Sequence, residues 1–135
     1  MVENELITCR NKELYEAYRN AFRKPEVRSH QQAIIEATVS HSSRYWISTL
    51  QACRYIIKLK KGLPIKSVNE LKKKMILSIY EVYKILEKKP EFKGCSTYFI
   101  TSFAIQKDAP EFYISYHRAL AIISKMNRER KHNEQ

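Results

Sequence analysis

The chain is poor in the residues that make loops and strands. Two glycines and four prolines among 135 residues leave little room for long connections, and no stretch alternates apolar and polar side chains between turn signals, so strands are not expected. No apolar run approaches the roughly 20 residues that a membrane-spanning helix needs, and no stretch reads as a secretory signal. The three cysteines, Cys9, Cys53 and Cys95, are odd in number and widely separated, which argues against a disulfide framework and for a reducing, cytoplasmic setting. Neither they nor His30, His41, His117 and His132 show the paired spacing of a zinc site. Glycine-rich phosphate loops, nucleophile elbows and close carboxylate pairs are lacking as well. The expectation is a protein without metal or cofactor that is not an enzyme. Acidic residues are also scarce, 14 against 25 lysines and arginines, for a formal charge of +11. Residues 1–65 carry 11 basic and 6 acidic groups and residues 66–135 carry 14 and 8, so the excess belongs to the whole chain rather than to a tail. Such a balance favours a polyanion such as nucleic acid, an acidic protein or an anionic surface.

What the chain does contain is a phrase used twice. Tyr45-Trp46-Ile47-Ser48 returns 67 positions later as Phe112-Tyr113-Ile114-Ser115. Behind each serine runs an amphipathic segment, with Ala52, Ile56 and Leu59 in the first copy and Ala119, Ile123 and Met126 in the second. A serine ahead of such a segment is a helix N-cap, and Gln51, three residues after Ser48, predicts a capping box. Ahead of the phrase, Glu3 to about Arg23 predicts a helix with Leu6, Leu14, Tyr18, Ala21 and Phe22 on one side. Ser29-His30-Gln31-Gln32 predicts a capped short helix through Ala33, Ile34 and Ala37, and the third helix runs from Thr49 to about Lys61, stopped by Gly62 and Pro64. The second half repeats the plan: a capping box at Ser67-Val68-Asn69-Glu70, a helix carrying Leu71, Met75, Ile79, Val82 and Leu86, a short helix capped by Ser96 with Ile100, Phe103 and Ala104, and a last helix from Tyr116 to about Glu129, beyond which the chain is expected to fray. Leu14-Tyr15-Glu16-Ala17-Tyr18-Arg19 faces Ile79-Tyr80-Glu81-Val82-Tyr83-Lys84 at an offset of 65, and two extra residues near Gly94-Cys95 move the offset to 67. The expected fold is therefore all-α. It is a tandem duplication of a three-helix unit, residues 1–65 and 66–135, packed as one compact six-helix bundle with pseudo-twofold symmetry.

The third helix of each copy carries the candidate site. With Ala52, Ile56 and Leu59 inward, Gln51, Arg54, Tyr55 and Lys58 point outward, followed by Lys60 and Lys61; the second copy presents Arg118, Lys125 and Arg128. Such faces suit phosphate or base contacts, loosely in the manner of a helix-turn-helix recognition helix. A solvated face that complements the helix C-terminal dipole is the plainer reading. Arg44 beside the aromatic phrase suits stacking of unpaired bases, although burial of those rings as a structural anchor explains them better. Lys58, Lys60, Lys61, Lys66, Lys72, Lys73 and Lys74 gather further cations around the junction of the copies.

Asp108-Ala109-Pro110-Glu111-Phe112-Tyr113-Ile114-Ser115 resembles a pattern found in a loose group of small, basic, two-repeat proteins of Bacteroides-type bacteria, their phages and mobile elements. The first copy departs from it with Ser42-Ser43 in place of Ala-Pro. The resemblance implies a phage or mobile-element setting and no catalytic residues. The function expected from charge and helix faces is non-enzymatic binding of DNA or RNA. The alternative is a helical interaction module or accessory subunit that binds an acidic protein or forms a homo-oligomer, and exposed apolar positions opposite the buried stripes would favour it.

Overall fold

A computed structural model describes residues 3–133. Six α-helices form: α1 Glu3–Phe22, α2 His30–Thr38, α3 Thr49–Lys60, α4 Glu70–Glu87, α5 Thr97–Ala104 and α6 Tyr116–Asn133, with a 3-10 turn at Pro90–Phe92. Helices α2 and α5 begin 67 residues apart, as do α3 and α6. Four serine caps do the local work. Ser29, Ser48, Ser96 and Ser115 each accept a hydrogen bond at Oγ from the amide three residues on, at 3.1–3.2 Å, which satisfies a donor that the helix itself leaves unpaired. The full capping box does not form. Gln32 turns its Oε1 to the amide of Arg28 at 2.8 Å, and Gln51 is exposed. In the second half the cap is Asn69, whose Oδ1 accepts from the Lys72 amide at 2.8 Å; Ser67 lies outside the helix at φ +63. Helix α6 continues four residues past the expected end to Asn133, while Glu134 and Gln135 lie outside the described residues.

The units of packing are not the two halves of the sequence. Helices α1 and α2 pack against each other and against α6, while α4 and α5 pack with α3. One core joins Leu14, Tyr18 and Ala21 of α1, Ala33, Ile34 and Ala37 of α2, and Ala119 and Ile123 of α6. The other joins Ala52 and Ile56 of α3, Met75, Ile79, Tyr83 and Leu86 of α4, and Ile100 and Ala104 of α5. Each three-helix unit therefore takes its third helix from the opposite half. The aromatic phrase makes this exchange possible: Tyr45 and Ile47 are buried in the α4–α5 core, and Phe112 and Ile114 in the α1–α2 core. Phe22, expected on the apolar side of α1, and Phe103 of α5 are more than two-fifths exposed.

Where the two connections cross, the backbone pairs with itself. Ser42 N donates to Ala109 O at 2.9 Å and Ala109 N to Ser42 O at 2.8 Å; Tyr45 N donates to Ile105 O at 2.9 Å and Phe112 N to Thr38 O at 3.1 Å. Moving both partners of any of these bonds by 67 positions and exchanging their halves yields another of them, so the two connections meet at corresponding places. Polar side chains close the crossing. Glu13 accepts from the Ser43 amide and hydroxyl and from Ser42 Oγ at 3.2 Å, and Trp46 Nε1 donates to Ser42 Oγ at 2.6 Å.

Candidate nucleic-acid interface

An α-helix returns to the same side every three to four residues. Gln51, Arg54, Lys58 and Lys61 follow that spacing along α3 and its C-cap and are all exposed. The positions 67 further on, Arg118, Ala121, Lys125 and Arg128, form the matching exposed line on α6. None of Arg54, Lys58, Lys61, Arg118, Lys125 and Arg128 pairs with a carboxylate among the described residues, where four ion pairs occur. Lys58 and Lys61 stand at a helix C-terminus, where a cation is favoured in any case. That account does not reach Arg54 in mid-helix or Arg118 in the first turn of α6, where the helix end is itself positive.

Two expected site residues are engaged by the fold's own groups. Lys60 Nζ donates to Tyr83 Oη at 3.1 Å, pairs with Glu87 at 3.0 Å and lies 5.3 Å from the Tyr83 ring centre. In the other unit the same place is held by Asn127, whose Nδ2 donates to Tyr18 Oη at 3.4 Å. Tyr18 in turn shares a hydrogen bond with His30 Nδ1 at 2.8 Å, as Tyr83 donates to Thr97 Oγ1 at 3.5 Å. Arg44 is half-buried. Its Nε donates to Tyr45 O at 3.0 Å and its Nη2 to Ile47 O at 3.1 Å, with the guanidinium 5.5 Å from the Trp46 ring centre. Burial lowers its pKa, partly opposed by Cys9. The aromatic phrase is likewise structural, with Tyr45 and Tyr113 stacked at 6.2 Å between centroids.

The junction lysines divide. Lys74 pairs with Glu111 at 2.8 Å and Lys72 Nζ lies 5.8 Å from the Tyr55 ring centre, whereas Lys66 and Lys73 are exposed.

The two exposed lines start from one place. A cleft bordered by α1, α3, α4 and α6 comprises adjoining hollows of about 300 and 270 Å³, both lined by Arg10, Trp46, Ile47, Gln51, Lys72 and Arg118. Gln51 and Arg118 are the first members of the α3 and α6 lines. From Arg118 a shallower groove continues along α6 past Lys12 and Lys125. Arg10 is not among the residues expected at the site, although its signal is in the sequence: Leu6, Arg10 and Leu14 recur at four-residue spacing, which places a cation in line with a core stripe. No group of three or more His, Cys, Asp or Glu side chains able to hold a metal occurs among the described residues, and no helix among them is long and apolar enough to cross a membrane. No protein-family model, no curated protein and no solved structure matches the chain.

Proposed function

We propose that this chain is a non-enzymatic nucleic-acid-binding protein, of the kind carried by phages and mobile elements, that holds DNA or RNA along the basic lines of α3 and α6. The observation that carries the reading is the matched pair of exposed lines, Gln51–Arg54–Lys58–Lys61 and Arg118–Ala121–Lys125–Arg128. Both are without carboxylate partners among the described residues, and both lead from one cleft. Cations left unanswered by the fold's own acids are available to phosphates, and six such contacts would make binding fall roughly 10³-fold between 50 and 200 mM salt. The test is a titration of duplex DNA, single-stranded DNA and RNA at several salt concentrations. The triple variant Arg54→Glu, Lys58→Glu, Lys61→Glu is expected to bind about tenfold or more weakly, while Lys60→Gln, which removes a cation already engaged by Tyr83 and Glu87, changes little. Salt-insensitive binding would count against the reading.

A second reading is favoured by a different surface. On α5, Tyr98, Phe99 and Phe103 are 52%, 47% and 45% exposed, and Phe103 packs its ring 5.1 Å from Phe99 and 5.3 Å from Phe92. An exposed aromatic group of this kind suits a protein partner or a second copy of the chain. Mass in solution for wild type and Phe99→Ser/Phe103→Ser separates self-association from a monomer.

A further inference from the structure

The central cleft holds three cations, Arg10, Lys72 and Arg118, that pair with no carboxylate among the described residues, although Lys72 Nζ also lies 5.8 Å from the Tyr55 ring centre. Arg10 occupies a core-stripe position, and 65 residues later the same position is Met75, which is buried. Arg10 is only half-buried; its Nε and Nη2 donate to Asn11 Oδ1 at 3.2 and 3.0 Å, and it pairs with no carboxylate among the described residues. Lys72 and Arg118 are the third residues of α4 and α6, within the first turn, where the helix dipole disfavours a cation. Burial and the nearby charge of Arg118 both lower the Arg10 pKa, so two like charges sit close together at the cleft wall. One acid, Glu3, borders the first hollow, and none borders the second.

The repeat makes this arrangement more telling. Arg10 corresponds to Met75, Lys72 to Ile7 and Arg118 to Gln51, so each corresponding pair supplies one cation and one neutral side chain. The N-caps Ser48 and Ser115 border the cleft together with Asn69, which places the positive ends of α3, α4 and α6 at its rim. Three cations without acid partners and three helix N-termini around a space of this size suit a compact anion rather than a large cofactor. Trp46, the chain's one tryptophan, forms part of the wall.

We infer that the central cleft is a phosphate-binding site in which Arg10, Lys72 and Arg118 grip the oxygens of a pyrophosphate group or of a nucleic-acid phosphodiester passing between the α3 and α6 lines. The site itself does not depend on the nucleic-acid reading, since a free phosphate ester would satisfy the same donors. The experiment titrates inorganic pyrophosphate and, separately, a short oligothymidylate against the full chain, reading Trp46 fluorescence, heat of binding and melting temperature. The variants are Arg10→Met and Arg118→Gln, each taking the residue that its counterpart already carries. The expected result is saturable pyrophosphate binding that raises the melting temperature and weakens about tenfold or more in either variant. Without ligand, both variants melt higher than wild type, because the like-charge pair is gone. Oligothymidylate binding that weakens in Arg10→Met while pyrophosphate fails to bind would assign the site to the phosphodiester. If pyrophosphate does not bind at millimolar concentration and Arg10→Met leaves oligothymidylate binding intact, the site is overturned while the basic lines keep their role. Pyrophosphate binding that survives in the Arg54/Lys58/Lys61 triple variant, with no binding of oligothymidylate, duplex DNA or RNA by wild type, would leave the site standing and remove the nucleic-acid reading.

Discussion

At the scale of single residues, the molecule shows how position decides what a charge is for. Lys58 and Lys60 are two residues apart on one helix. Lys58 is exposed and unpaired among the described residues, whereas Lys60 bends back to Tyr83 and Glu87. That inward contact has a pH signature. The Tyr83 hydroxyl and then the Lys60 ammonium hold Glu87 below its ordinary value of 4.5. A carboxyl whose pKa is depressed by folding adds stability above its ordinary value and loses it as pH falls through the folded one. Glu87→Gln is therefore expected to lower stability at neutral pH by on the order of 0.5 kcal/mol, a modest figure because the pair is two-fifths exposed, and to leave wild type and variant equal well below pH 4.5. Urea unfolding at several pH values checks it. The same contact raises the pKa of Lys60, so its share is lost only as pH rises above 10.5.

Among the helices, the caps carry the most information per residue. Ser48 and Ser115 end extended connections, start helices and border the cleft, all through one hydroxyl each. Ser48→Ala and Ser115→Ala should each cost about 1 kcal/mol, seen as a lower urea midpoint with an unchanged slope. Caps, breakers and four-residue periodicity are local, and that is why the bounds of α1 and α3 and the starts of α2 and α5 could be read from the residues alone. Ser67 misled because Ser-Val-Asn-Glu offers two cap candidates, and only backbone geometry chooses Asn69. The outward lines of α3 and α6 were legible for the same reason that the helices were. The fate of Lys60 and Arg44 was not, because Tyr83, Glu87 and the Ile47 carbonyl are brought to them by packing between segments. Which helix packs on which is equally silent in a periodicity: Ala52 and Ile56 announce a buried face, but nothing in them says that it lies on α4 and α5.

For the molecule as a whole, exchange of the third helices ties the two cores into one cooperative unit. Loss of α6 would strip α1 and α2 of Ala119 and Ile123, and loss of α3 would strip α4 and α5 of Ala52 and Ile56. Ile56→Ala and Ile123→Ala remove fully buried side chains from different cores, each expected to cost about 2–5 kcal/mol. Both should shift a single shared unfolding transition, with helix signal and Trp46 fluorescence falling together; two separate transitions would contradict that coupling. The crossing at Ser42 and Ala109 has one more consequence, for what happens if the chain is cut. The segment from Gly62 to Ser67 joins the halves along the outside and is almost wholly exposed. A protease that severs it leaves two fragments, each still wearing a helix that belongs to the other's core, so they should elute as one particle until denaturant parts them.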